Sequence, residues 1–203
     1  MLPIADSFEH VHRGCEIRYG RGRIADLGDW LGERGLDDAL VVCGSNTGAN
    51  DALMDPVREG LGDRLAGVFD GTTPDKRVET AYDLLDASAE VGADVLVAVG
   101  GGASLDIARQ ATLLAADGRD LGEIRADAEA GPGALGDLAP ESDPAFPSVV
   151  VPTTFAGADV STGGSLEIFS ADESPTGQPV NVSGSGAWPI ADVADPALFE
   201  TTP

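Results

Sequence analysis

The run Val95-Leu96-Val97-Ala98-Val99, followed by Gly100-Gly101-Gly102, constrains this chain more than any other stretch. Five apolar residues in succession suit a strand buried on both faces, as in a parallel sheet covered by helices, and not the alternation of a half-solvated strand. Three glycines then let the backbone approach a ligand closely. The helix predicted from about Ser104 presents free N–H groups at its positive end. A pyrophosphate suits such a turn, and so does a tight strand-to-helix connection that binds nothing. Asp106 falls, on this reading, in the first helical turn, where a carboxylate favours the dipole and can accept from a loop amide.

Short apolar runs alternate with helical patterns on either side. Strands are predicted at Ile17 to Tyr19, Ala39 to Cys43, Leu65 to Phe69, Asp94 to Val99 and Ser148 to Val151. Helices are predicted at about Ile24 to Arg34, Asp51 to Leu61, Asp75 to Val91 and Ser104 to Ala116. In the third of these, Val78, Ala81, Tyr82, Leu85 and Ala89 recur at core-facing spacing. Such an order specifies an α/β fold, a doubly wound parallel sheet of Rossmann-like type, with residues 1–203 as one domain. The Gly-, Pro- and acid-rich stretch from Asp127 to Pro147 reads as a long irregular loop. Beyond Pro152, Leu166 to Phe169 and Val180 to Val182 read as a β-hairpin within about 163–193, and Pro189 to Val193 as one more short strand.

Charge narrows the function classes. The chain carries 35 acidic against 12 basic residues, a net charge of −23 spread along its length. That surface repels a phosphodiester backbone, so nucleic acid is excluded as a partner. It suits a proteome adapted to high salt, where screening relieves the self-repulsion, and a haloarchaeal source is expected; a very acidic mesophilic protein is the alternative. The longest apolar run is far short of the ~20 residues of a membrane span, and residues 1–20 contain no secretion signal, so a soluble cytoplasmic protein is expected. Cys15 and Cys43 fit no CxxC or zinc spacing and read as buried thiols. His10 and His12, the two histidines, alternate. They could share a strand face and hold a stray metal weakly, but an exposed polar pair is the plainer reading.

Several motifs together carry a family resemblance. Gly100 to Gly102 and Asp106 match GGGSxxDxAK of the iron-containing alcohol dehydrogenases, with Ala103 and Arg109 in place of its serine and lysine. Tyr19-Gly20-Arg21-Gly22 is similar to that family's opening hairpin turn. Phe69 to Asp75 resembles its FDGxxPNP segment, with Asp75 replacing the asparagine. Val151-Pro152-Thr153-Thr154 matches VPTT, and Asp195 to Leu198 with Thr202-Pro203 resembles DPxL...P. A second resemblance, to dehydroquinate synthase on the same fold, runs from Thr153 to Ser165 through Asp159, Ser161, Gly163 and Gly164. It needs a one-residue slip, puts Ser165 where a lysine belongs and lacks the second glycine of GGGxxGD.

The first resemblance implies an oxidoreductase that interconverts an alcohol and an aldehyde or ketone with NADP or NAD and a divalent metal, iron or zinc. It implies that Gly100, Gly101, Gly102, Ala103, Ser104 and Asp106 hold the cofactor pyrophosphate, with Asp75, Thr153, Thr154 and Thr162 in the same cleft. Many members hold the adenosine ribose with an aspartate at the end of the first parallel strand. Here Gly44 stands there, followed by Ser45 and Asn46, so no carboxylate repels a 2′-phosphate and NADP is expected to be accepted. The family's metal ligands, one aspartate and three histidines, belong to a helical domain after DPxL. No catalytic residue or metal ligand is therefore assigned in this chain. It is expected to be a truncated, cofactor-binding half without the C-terminal helical domain, inactive alone. Its exposed cleft would favour a homo-oligomer or a separate helical-domain polypeptide. A non-catalytic nucleotide-binding module is the alternative from another class, and the alcohol or aldehyde substrate stays open.

Overall fold

The computed structural model describes residues 6–12, 14–138, 145–159, 161, 163–174 and 176–201. In chain order the elements are β1 (Ser7–His12), β2 (Cys15–Gly20), α1 (Leu27–Gly32), β3 (Ala39–Val42), α2 (Ser45–Gly48), α3 (Asp51–Leu61), β4 (Leu65–Phe69) and α4 (Val78–Val91). They continue with β5 (Val95–Gly100), α5 (Gly102–Asp117), α6 (Leu121–Ala130), α7 (Pro132–Leu135), β6 (Ser148–Pro152), β7 (Gly163–Phe169), β8 (Val180–Ser185), β9 (Ala191–Ala194) and α8 (Pro196–Phe199). Seven strands form one sheet in the order β1-β2-β9-β6-β5-β3-β4, parallel throughout except for β1.

The fully apolar strands behave as their composition requires. Val95, Val97 and Val99 point to one face with Val41, Val149 and Val151, against Leu27 and Leu31 of α1 and Leu53, Met54 and Val57 of α3. Leu96 and Ala98 point to the other with Leu40, Val42 and Val150, against α4, α5 and α6 and the separate β7–β8 hairpin. Both faces are thus covered. Neither is left to solvent, which is why period-two alternation is missing from the sequence.

Several boundaries differ from expectation. β1 was not anticipated, because all six of its residues are exposed and its two apolar side chains, Phe8 and Val11, fall on opposite faces. It pairs antiparallel with β2, Ser7 opposite Gly20 and His12 opposite Cys15, so the hairpin turns at Gly14, φ +87°. Tyr19 to Gly22 is therefore not the hairpin turn; it leads from β2 into a 3-10 turn at Arg23–Asp26. α4 begins at Val78 and not Asp75, since Lys76 has φ +51° and Arg77 is extended. α6 occupies part of the stretch read as irregular: Asp120 and Glu123 cap it reciprocally, at 2.8 and 2.9 Å, and fix a start that the acid-rich composition obscured. α7 follows, and 139–144 lie outside the described residues. Only β7 and β8 form the hairpin expected over 163–193, since β9 joins the main sheet between β2 and β6.

Candidate functional site

From β3 the chain winds outward to β4, then returns to lay β5 on the other side of β3. This reversal opens a crevice between the carboxyl ends of β3 and β5, the usual ligand position of an open α/β sheet. Two turns border it, Gly44 to Gly48 after β3 and Gly100 to Gly102 after β5.

The three glycines of the β5 turn are there for different reasons. Gly100 has φ +139°, and a Cβ on it would lie 3.2 Å from Ser104 Oγ, so backbone geometry demands glycine. Gly101 has φ −85°, and its Cβ would meet nothing closer than Thr154 Oγ1 at 3.4 Å. At Gly102 the nearest contact would be Ala158 Cβ at 3.5 Å. Neither conformation nor packing needs glycine at these two positions. What their missing side chains leave is room beside the N-terminus of a 16-residue helix. The N–H groups of Gly102, Ala103 and Ser104 precede the first intrahelical bond, Leu105 N–H to Gly101 C=O at 3.4 Å. A cavity of about 480 Å³ opens there, lined by Lys76, Gly102, Ala103, Asp106, Gly157 and Ser161 among others.

Because α5 starts at Gly102, Asp106 is its fifth residue and not in the first turn as expected. Its carboxylate accepts from Lys76 Nζ at 3.2 Å and Arg109 Nη2 at 2.6 Å instead of capping a loop amide. Arg109, buried, also donates to the carbonyls of Leu105 and Ser161, which ties the loop after β6 to α5. Ser104 is likewise buried, its hydroxyl 2.7 Å from Thr72 Oγ1, so it braces the turn from behind. Thr153 is buried with its N–H on Gly100 C=O at 3.0 Å, and Thr154 lies beside Gly101. Asp75 accepts from the Thr73 hydroxyl. Thr162 lies outside the described residues.

The β3 turn is less furnished. Ser45 and Asn46 are exposed on α2, a single helical turn, and Thr47 Oγ1 sits 3.8 Å from where a Gly100 Cβ would be. Asp70, at the end of β4, was overlooked. A Cβ on Gly48 would lie 3.5 Å from Asp70 Oδ2, so a carboxylate does border this turn although Gly44 supplies none. Thr72 joins the two turns, its N–H on Cys43 C=O at 3.1 Å and its hydroxyl on Ser104. Asp70, Thr72 and Lys76 come from the connection after β4, and only the strand order of the sheet could have shown that they reach the crevice. A second cavity, about 470 Å³ and lined by Tyr19, Thr154, Phe155, Pro196 and Phe199 among others, adjoins the first through Gly157. Phe155 is 94% exposed and stacks on Phe199 at 4.7 Å.

A model of the iron-containing alcohol dehydrogenase family matches residues 15–172. The chain belongs to that family. Maleylacetate reductase 1 of Cupriavidus pinatubonensis (strain JMP 134 / LMG 1197) is 27% identical over 146 residues, 72% of this chain and 32% of the relative. NAD-dependent methanol dehydrogenase of Bacillus methanolicus is 28% identical over 109 residues, 52% and 28% of the two chains. The crystal structure of sulfoacetaldehyde reductase from Bifidobacterium kashiwanohense in complex with NAD+ shares the fold, with TM-score 0.75 at 18% identity over 97% of this chain and 48% of that one. The chain thus spans roughly a third of the length of the curated relatives it matches.

For an iron-containing alcohol dehydrogenase the metal needs a home. The chain has two histidines, and both lie exposed on β1. Among the described residues no three His, Cys, Asp or Glu side chains are grouped to hold an ion. The family's ligand set of one aspartate and three histidines does not fit the residues present. A dinucleotide fits better, since the missing side chains of Gly101 and Gly102 leave a cradle at a helix N-terminus. Among the described residues no helix is long and apolar enough to cross a membrane.

Proposed function

We propose that this chain is the dinucleotide-binding part of an NAD(P)-dependent alcohol dehydrogenase or aldehyde reductase, acting on a small alcohol or the matching carbonyl compound. The observation that carries the reading is the pair Gly101 and Gly102 at the start of α5, glycines that neither φ nor packing requires, with Gly102 lining a cavity there. In this reading the N–H groups of Gly102, Ala103 and Ser104 receive the pyrophosphate, Lys76 adds a positive charge, and Thr153 and Thr154 border the same cleft. Gly44, Ser45 and Asn46 border the adenosine. Asp75 orders the loop, and Asp106, in the cavity wall, holds Lys76.

The sequence tilts cofactor choice toward NADP through Gly44, but Asp70 supports the opposite choice. A carboxylate at the crevice rim can accept from ribose hydroxyls and repels a 2′-phosphate. NAD is therefore the better ligand. With two histidines, both on β1, the chain binds cofactor without turning over alcohol, and its acidic surface suits a cytoplasm of high salt.

Fluorescence titration with NADH and NADPH tests the reading: saturable binding of NADH, tighter than that of NADPH, supports it. No binding of either overturns the dinucleotide assignment, whereas NADPH binding at least as well overturns only the role given to Asp70. NADH formation by the chain alone, with alcohol and added Fe2+ or Zn2+, overturns the claim of inactivity.

A further inference from the structure

Asp192 is out of place. It lies within β9, beside Ile17 of β2 and Val150 of β6, and its neighbours Ala191 and Val193 pack into the apolar core on the opposite face. Only 4% of its surface is exposed, and its Oδ1 has no hydrogen-bond partner. A buried carboxylate with an unsatisfied oxygen is costly, and a strand position such as this is ordinarily held by an apolar side chain. The carboxyl lines a cavity of about 200 Å³ together with His12, Cys15, Ile17, Asp159 and Trp188. Asp159 comes from the loop after β6, so two acidic side chains from distant parts of the chain border one small enclosure.

We infer that this cavity is a binding site for a hard divalent cation of the Ca2+ or Mg2+ class, held by the carboxylates of Asp192 and Asp159 and otherwise by water. Its size suits that occupant, since a water molecule takes up about 30 Å³ and the enclosure has room for an ion and part of its hydration shell. Burial first, then the Asp159 charge, pushes the Asp192 carboxyl up to about 7, the response of an acidic pair with no counter-charge between them. A soft metal is a poorer fit. Although His12 and Cys15 also line the cavity, among the described residues no three His, Cys, Asp or Glu side chains are grouped as a closed transition-metal centre would need. His12, in edge contact with Trp188 at 5.9 Å, also lines the cavity. Asp159 also lines the cavity beside Tyr19 and Thr154, so the cation site adjoins the cofactor crevice without including the glycine turn.

Trp188 makes the inference measurable, because an indole in the cavity wall sensitises the luminescence of bound Tb3+, a Ca2+ surrogate. Trp30, the other tryptophan, belongs to the opposite face of the sheet under Arg34. Titration of the whole chain with Tb3+ under tryptophan excitation is expected to saturate and to be reversed by Ca2+ or Mg2+. Asp192→Asn should weaken Tb3+ binding at least tenfold, and Trp188→Phe should remove the emission without changing the fold seen by circular dichroism. If Asp192→Asn does not fold, Asp159→Asn takes its place with the same expectation. Emission that fails to saturate, or that is equal in wild type and the carboxylate variant, reflects the acidic surface alone and overturns the site.

Discussion

The two turns that border the crevice are built on opposite principles. The β5 turn is braced from every side: Gly100 is fixed by its positive φ, Thr153 N–H holds Gly100 C=O, Ser104 is pinned by Thr72, and Asp106 is locked between Lys76 and Arg109. The β3 turn has one helical turn, exposed Ser45 and Asn46, and a carboxylate lent by β4. A pyrophosphate is common to every dinucleotide, so its cradle can be rigid and made of backbone. The sugar end differs between cofactors, and on the proposed reading the group that selects there is Asp70, a side chain brought in from a neighbouring strand.

The sharpest way to break this comparison is to fill the cradle. Gly101→Val places branched atoms where a ligand would lie, without a forbidden φ, and is expected to weaken NADH binding at least ~100-fold, about 3 kcal/mol. The melting temperature should move little. Gly100→Ala should do the reverse in part, costing stability by about 1–3 kcal/mol through backbone strain. Binding isotherms and thermal unfolding on the two variants separate these outcomes; equal losses of stability would mean that the turn is glycine-rich for folding alone.

Thr72 is the next test, because it ties the two turns together. Thr72→Val keeps the shape but leaves the buried Ser104 hydroxyl without its partner at 2.7 Å. A buried unsatisfied hydroxyl costs about 1–3 kcal/mol, to be read as a lower midpoint in urea unfolding. The additional removal of Ser104 by Ser104→Ala should recover part of it. Recovery of nothing would show that the pair does not couple the turns.

How much of this was legible in the sequence follows from the same contrast. The buried strands, the glycine turn and α5 could be read directly, because an apolar run and three glycines are local signals. β1 could not, since its side chains face solvent on both sides and only pairing with β2 makes Ser7–His12 a strand. Asp70, Thr72 and Lys76 were invisible as site residues for a different reason: the order β5-β3-β4 alone carries the connection after β4 to the crevice. Asp106 was identified but given the wrong partner. A start at Gly102 instead of Ser104 moves it half a turn along the helix and onto Lys76.

Cofactor choice sharpens the comparison with a smaller effect. Asp70→Asn keeps the size of the side chain and removes the charge, so NADPH binding should tighten relative to NADH by roughly fivefold, near 1 kcal/mol in the ratio. Parallel titrations of wild type and variant measure it. An unchanged ratio would leave the β3 turn without a selective group.

The smallest effect concerns the far end of the same connection. Arg77 follows Lys76 and reaches Glu167 on β7 at 3.1 Å and Glu173 beyond it at 2.7 Å, so it ties the β7–β8 hairpin to α4. The Arg77 guanidinium, with help from Ser170, holds the Glu173 carboxyl down at about 2 against an ordinary 4.5. A depressed carboxyl stabilises the folded chain above its unfolded value and loses that contribution as pH falls from about 4.5 toward 2. Protection of the β7 amides, referred to the intrinsic exchange rate at each pH, should therefore fall across that window while that of β5 stays high, and Arg77→Ala should remove the difference in protection between pH 5 and pH 3. Because the pair is exposed, concentrated salt should blunt the effect by screening. Protection in β7 indifferent to pH, salt and Arg77 would show that the backbone bond from Glu167 N–H to Lys76 C=O, 2.9 Å long, suffices to hold the hairpin.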